Sequence, residues 1–207
     1  MTRAELEAAL GEHALLLAGL AEGGRVALLA PDTRRFWAHL DTQPEAHDGL
    51  PDRVDRWSAR VIGALADRFG AEPMLPFGGP PWHPFIAWAA ESGQAWPSPV
   101  TLLVHARMGL WVSFRGALRL PEPLPALPEP ARPCAPCPAP CRTACPVDAL
   151  TSDGYDAASC KAHVMSDQGL ACRTGCLVRK ACPVGRDFAL PPAQARHHMR
   201  AFTGEEP

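Results

Sequence analysis

For its first 120 residues the chain alternates short apolar runs with polar breaks, and their spacing predicts a mixture of helices and strands. Over residues 2–21, Leu6, Leu10, Leu16, Leu17 and Leu20 recur at roughly helical spacing, with Glu5, Glu7 and Glu12 between them. This predicts one helix, ended by Gly23 and Gly24. The apolar run from Arg25 to Ala30 fits a buried strand, closed by Pro31, Asp32 and Thr33, with a short helix through Phe36, Trp37 and Leu40 behind it. The clearest helix is Pro51 to Gly70, where Val54, Trp57, Val61, Ile62, Leu65 and Phe69 form one stripe and Gly70 stands at the end. A strand is expected over 73–77, a sharp loop at Phe77-Gly78-Gly79-Pro80-Pro81, and a helix from Pro84 to Gly93. Val100 to His105 and Leu110 to Phe114 are rich in β-formers and predict an antiparallel pair around Arg107-Met108-Gly109. Residues 1–120 therefore read as a mixed α/β domain without the regular alternation of a doubly wound sheet.

The pattern then stops. Residues 121–140 contain nine prolines, which no helix or sheet interior accepts, and residues 121–133 read as a linker. Beyond it lie all eight cysteines, between positions 134 and 182. The first group is Cys134-x2-Cys137-x3-Cys141-x3-Cys145-Pro146, and the second is Cys160-x11-Cys172-x3-Cys176-x5-Cys182-Pro183.

Bacterial ferredoxins carry the run C-x2-C-x2-C-x3-C-P, in which the fourth cysteine ligates the other cluster. The first group matches that run with one extra residue. A tight loop lets three thiolates reach three iron corners of one cubane, and the fourth ligand arrives from a distant segment. On this logic one [4Fe–4S] cluster takes Cys134, Cys137, Cys141 and Cys182, and a second takes Cys145, Cys160, Cys172 and Cys176. Eight ligands serve two clusters with none left over. Two Cys₄ zinc sites would also use eight cysteines, although zinc sites more often show two separated short pairs. A disulfide framework is disfavoured because the N-terminus, Met1-Thr2-Arg3-Ala4-Glu5, has no secretory leader. Electron transfer in the cytoplasm is the expected setting, with a redox donor or acceptor protein as partner and no membrane.

Charge narrows the field further. Residues 1–120 hold 11 Lys/Arg and 13 Asp/Glu, and residues 121–207 hold nine of each. Neither part carries the basic excess of a phosphate-backbone binder, so no nucleic-acid partner is expected. Around the second group, Arg173, Arg179, Lys180 and Arg186 stand either as a solvated face or as cations that raise a cluster's potential and dock an acidic donor.

The cysteine order, with Tyr155-Asp156-Ala157-Ala158-Ser159-Cys160 between the groups, resembles epoxyqueuosine reductase and its relatives, which include corrinoid-dependent reductive dehalogenases. In that family a lone cysteine after the first motif ligates the second cluster, which matches Cys160. Upstream, Asp55 to Val61 resembles the family's basic helix, Phe85 to Trp96 its alanine-rich helix and turn, and Leu110 to Leu118 the strand leading into the clusters. The resemblance implies a nitroreductase-related α/β domain followed by a small ferredoxin-like two-cluster domain, an α+β chain overall. It also implies a corrinoid, or by kinship a flavin such as FMN, in the N-terminal part. A small corrinoid- or flavin-dependent reductase is thus the alternative function.

The sequence departs from the family at three points. Pro76-Phe77-Gly78-Gly79-Pro80-Pro81 stands where the family has an aspartate before its turn, so no proton donor is present. The chain ends at Pro207 without a helical-repeat tRNA-binding region, and residues 1–120 are few for enclosing a corrinoid. Within that part, Gly78, Gly79 and His83 are the candidate cofactor contacts, although a tight turn and a surface histidine are the simpler explanations. Trp57, Trp82, Trp88, Trp96 and Trp111 would line a planar cofactor's pocket or, for three or more of them, fill the core. No nucleotide-binding loop occurs.

Overall fold

The computed structural model describes residues Met1–Glu205. The chain forms two compact units. One is Met1–Ala95 with Ser113–Pro130, and the other is Trp96–Val112 with residues from Ala131 onward.

The first unit starts with α1 (Arg3–Glu12), where Thr2 and Glu5 make a reciprocal cap. The Thr2 hydroxyl accepts the Glu5 amide at 3.3 Å, and Oε2 of Glu5 accepts the Thr2 amide at 2.6 Å. The expected helix over 2–21 breaks at this point. His13 caps α1, Ala14 turns the chain at φ 52°, and Leu15–Ala21 is a strand, β1. A continuous apolar run suits a buried strand as well as a helix. Here the neighbouring run decides, because β1 pairs antiparallel with β2 (Val26–Pro31) along its whole length.

β2 in turn pairs with β6 (Gly116–Arg119), and β6 with β3 (Glu72–Met74), giving an antiparallel sheet of order β1-β2-β6-β3. The last strand thus lies at 116–119, whereas the sequence suggested 110–114. Residues 110–112 have no strand partner and belong to the second unit.

Helices α2 (Phe36–Leu40) and α3 (Arg53–Phe69) bury their apolar stripes against this sheet together with α1. Trp57 is fully buried, with its ring edge-on to Phe36 at 5.0 Å between centroids. Helix α4 (Phe85–Glu91) packs on β1 and β2. The proline-rich stretch has no regular structure, but it does not hang free. Leu124 and Leu127 pack on the first core, and the Leu124 amide donates to Gly24 at 3.0 Å. Trp57, Trp88 and Trp111 are core residues, and Trp82 is 65% exposed.

The second unit has little regular structure. Strands β4 (Ala95–Pro97) and β5 (Leu103–His105) form a two-stranded sheet, and three helices follow: α5 (Ala157–Met165), α6 (Leu177–Ala181) and α7 (Pro192–Thr203). Its core joins Val100, Val104, Leu110, Leu150 and Val178 to Cys141 and Cys182. The chain is therefore a mixed α+β protein with antiparallel sheets, and no helix among its described residues is long and apolar enough to cross a membrane.

Candidate metal centre

Prolines and tight turns, not long helices, set the positions of the first four cysteines. Cys134 opens a turn closed by the Cys137 amide, and the Ala139 amide points at Cys137 Sγ, 3.4 Å away. Ala139 takes a left-handed conformation and launches a 3₁₀ turn over Pro140–Thr143 that carries Cys141. The Ala149 amide donates to Cys145 Sγ at 3.2 Å. Amide hydrogen bonds of this kind stabilise sulfur in its anionic form.

The second four cysteines sit at helix and turn boundaries. Cys160 lies in the first turns of α5, which Asp156 caps by accepting the Ser159 amide at 3.0 Å. Cys172 starts a 3₁₀ turn, Cys176 precedes α6, and Cys182 follows it. Helix α6 thus carries one cysteine at each end, and its length keeps Cys176 and Cys182 apart.

All eight thiols are buried or half-buried, and none is in a disulfide. They fall into two neighbourhoods. Burial pushes the Cys134 thiol up, and the nearby Cys137, Cys182 and Cys141 add to that push. Burial likewise raises Cys141, with Cys182 and Cys137 beside it. These four cysteines line a single small cavity, together with apolar groups such as Val104, Leu110 and Val184. In the other neighbourhood, burial raises the Cys172 thiol with help from Cys176, Cys160 and Cys145. Cys160 is raised by burial as well, with Cys176 and Cys145 among its neighbours. Two chain-distant exchanges are built into this arrangement: Cys182 stands with the first motif, and Cys145 stands with the second.

Each neighbourhood offers four soft donors that repel one another as thiolates, which is a demand for compensating positive charge at the centre. Around one zinc ion four thiolates would stand about 3.8 Å apart, from a Zn–S bond of about 2.3 Å. No group of three or more His, Cys, Asp or Glu among the described residues is gathered in the way one ion requires. The irons of a cubane are separate corners, each with its own thiolate, so its ligands stand farther apart than those of one ion.

Two other side chains serve the second neighbourhood. The Tyr155 hydroxyl lies beside the Cys160 thiol, and its pKa is pushed well up, by burial first and then by that neighbour. The Arg179 guanidinium points inward and donates to the Leu110 carbonyl. Burial pulls its pKa down, against the influence of Cys176 and Tyr155. By contrast, Lys180 reaches Thr174 at 3.2 Å on the exposed side.

Residues 105–109 frame the first neighbourhood, a role their sequence does not announce. His105 is buried, and its Nδ1 accepts the amides of Arg107 at 3.0 Å and Met108 at 3.2 Å, so the proton of a neutral ring lies on Nε2. His105 also pairs with Gly109 through both backbone bonds. Gly109 has φ 56°, and a Cβ there would stand 2.0 Å from the Val184 carbonyl oxygen and 3.3 Å from Cys182 Sγ. A Cβ at Gly185 would likewise stand 2.3 Å from the Met108 carbonyl. Two glycines thus let backbone lie on backbone next to a candidate ligand.

Gly78, Gly79 and His83 belong to the first unit. Gly78 turns at φ 80°, and Gly79-Pro80 and Pro80-Pro81 are cis. The space a side chain at Gly79 would need is filled by the Trp82 ring. The His83 ring is exposed and stacks on Trp88, 5.8 Å between centroids at 25°. A hollow in this unit, between Arg25, Glu72 and Arg119, includes none of the three. Of the three, only Gly79 is crowded, and nothing lies within 4 Å of a Cβ added at Gly78.

No protein-family model matches the chain, and no curated protein matches its sequence.

Proposed function

We propose that the chain carries electrons through two [4Fe–4S] clusters, one held by Cys134, Cys137, Cys141 and Cys182 and the other by Cys145, Cys160, Cys172 and Cys176. On this reading the second unit is a ferredoxin-like two-cluster domain, and the first is a nitroreductase-related domain. The observation that carries it is the sorting of the eight thiols into two sets of four, with Cys145 and Cys182 exchanged between the motifs. Each cluster, when bound, supplies one-electron chemistry at a potential set by hydrogen bonds and solvent exposure.

The residues of this chain have three tasks. The eight thiols give up their protons to the solvent on binding, because a coordinating sulfur is a thiolate. Amides of Ala139 and Ala149 and the Tyr155 hydroxyl hold the resulting negative charge. Val104, Leu110, Leu150 and Val178 keep water from the core between the two sets.

Anaerobically purified protein should contain about eight irons and eight sulfides per chain and be brown, with a broad absorbance that dithionite bleaches. Two zinc ions per chain, or no iron after anaerobic reconstitution, would overturn the proposal.

A further inference from the structure

The C-terminal segment concentrates positive charge. Residues 157–205 hold seven Lys/Arg and three Asp/Glu, in a chain whose net charge is −2. The fold gathers part of this charge beside Cys172. Arg173, from the turn that starts at Cys172, lines one surface hollow with Arg196 and Arg200 of α7, and Val164, Thr203 and Glu205 share its walls. Lys161 of α5 adds a further cation, its Nζ close to Gly204 at the end of α7.

Arg173 is held in place by uncharged partners, and Glu205 brings one carboxylate to the same hollow. Arg173 donates to the carbonyls of Val164 at 2.9 Å, Met165 at 3.0 Å and Ser166 at 3.3 Å, all of them uncharged partners. Arg196 and Arg200 are exposed, four residues apart on α7, and neither they nor Arg173 form a salt bridge within the described residues.

Apolar surface adjoins the cations. Met165 is 53% exposed and Leu170 is 61% exposed. Arg173 is bonded to both through their backbone carbonyls, by its guanidinium to Met165 and by its amide to Leu170. Two exposed apolar side chains beside a cationic cluster have the anatomy of a small, transient protein interface, in which charge steers the encounter and a modest apolar contact holds it.

We infer that this face docks an acidic electron-transfer protein, which would bring its redox centre up to the sulfur of Cys172. The inference rests on the cluster reading only for the electron's destination; the charge and the apolar spot stand without it. A single-stranded nucleic acid fits less well, because no aromatic ring among the described residues lines the hollow to stack a base.

The test uses the full chain and a fluorescently labelled acidic flavodoxin as probe, followed by anisotropy between 50 and 300 mM salt, with iron counted on the same samples. Binding should weaken steadily with salt and fall about tenfold in the double variant Arg196→Glu/Arg200→Glu. The milder pair Arg196→Gln/Arg200→Gln should fall between the two, and Arg3→Glu, on α1 of the other unit, should match the parent. Equal binding by parent and double variant overturns the inference, as does tighter binding of a 20-nucleotide single strand that displaces the flavodoxin. Full iron with charge-independent binding sinks the docking face alone. Charge-dependent binding by protein that contains zinc in place of iron keeps the docking face and sinks the cluster reading.

Discussion

Tyr155 is the chain's only tyrosine, and its hydroxyl lies beside the Cys160 thiol. A donor to a ligating sulfur stabilises the more negative, reduced state, so Tyr155, donating to Cys160 in the proposed cluster, would raise that cluster's potential. Removing that donor with Tyr155→Phe should lower that potential by a few tens of millivolts, since about 1 kcal/mol of differential stabilisation is about 40 mV for one electron. The other cluster should be unmoved. An EPR-monitored redox titration reads both, and an unchanged pair of potentials would refute the role. The grouping of the cysteines shows in the sequence as short intervals, because residues carried on one tight loop are close in the chain. Tyr155 and Arg179 were not legible in the same way. Arg179, Lys180 and Arg186 look alike in sequence, yet only Arg179 turns inward, to the Leu110 carbonyl 69 residues away.

At the scale of elements, the reading succeeded where one face of a helix is buried and failed where an apolar run has no face. The stripe on α3 gave its span, Pro51 to Gly70 against the observed Arg53–Phe69. The leucines after Gly11 gave the wrong element, because their partner strand, Val26–Pro31, decides between helix and sheet. The segment after β5 was misread for a related reason. His105 and Gly109 look like parts of a hairpin turn, but the loop they close is pressed on Val184 and Gly185. A side chain at Gly109 has no room beside the Val184 carbonyl, so Gly109→Ala should push the 182–185 segment away and take Cys182 with it. The expected result is loss of about half the iron, against full iron in Gly63→Ala, where nothing lies within 4 Å of the added methyl. Normal iron in Gly109→Ala would show that the contact does not hold the ligand.

At the scale of the whole molecule, the two motifs are sequential in the chain and exchanged in space. This makes a prediction about additivity. Cys145→Ala should remove about half the iron, although Cys145 belongs to the first motif by sequence. Adding Cys176→Ala, from the same neighbourhood, should cost little more, and adding Cys137→Ala should remove most of the remainder. The opposite pattern in iron content would mean that each motif serves its own cluster.

The sequence by itself determined the mixed α+β character, the span of α3 and the candidate chemistry of the thiols. Each of these is local: a period, a proline content or an interval between cysteines survives without knowledge of the rest of the chain. Only the tertiary structure decided that Leu15–Ala21 is a strand, that Gly116–Arg119 completes the sheet, and that residues 96–112 belong with the cysteines. It also decided that Arg173, Arg196 and Arg200 share one hollow. These outcomes depend on contacts between segments far apart in sequence, where the energy comes from pairing and burial that no single window contains.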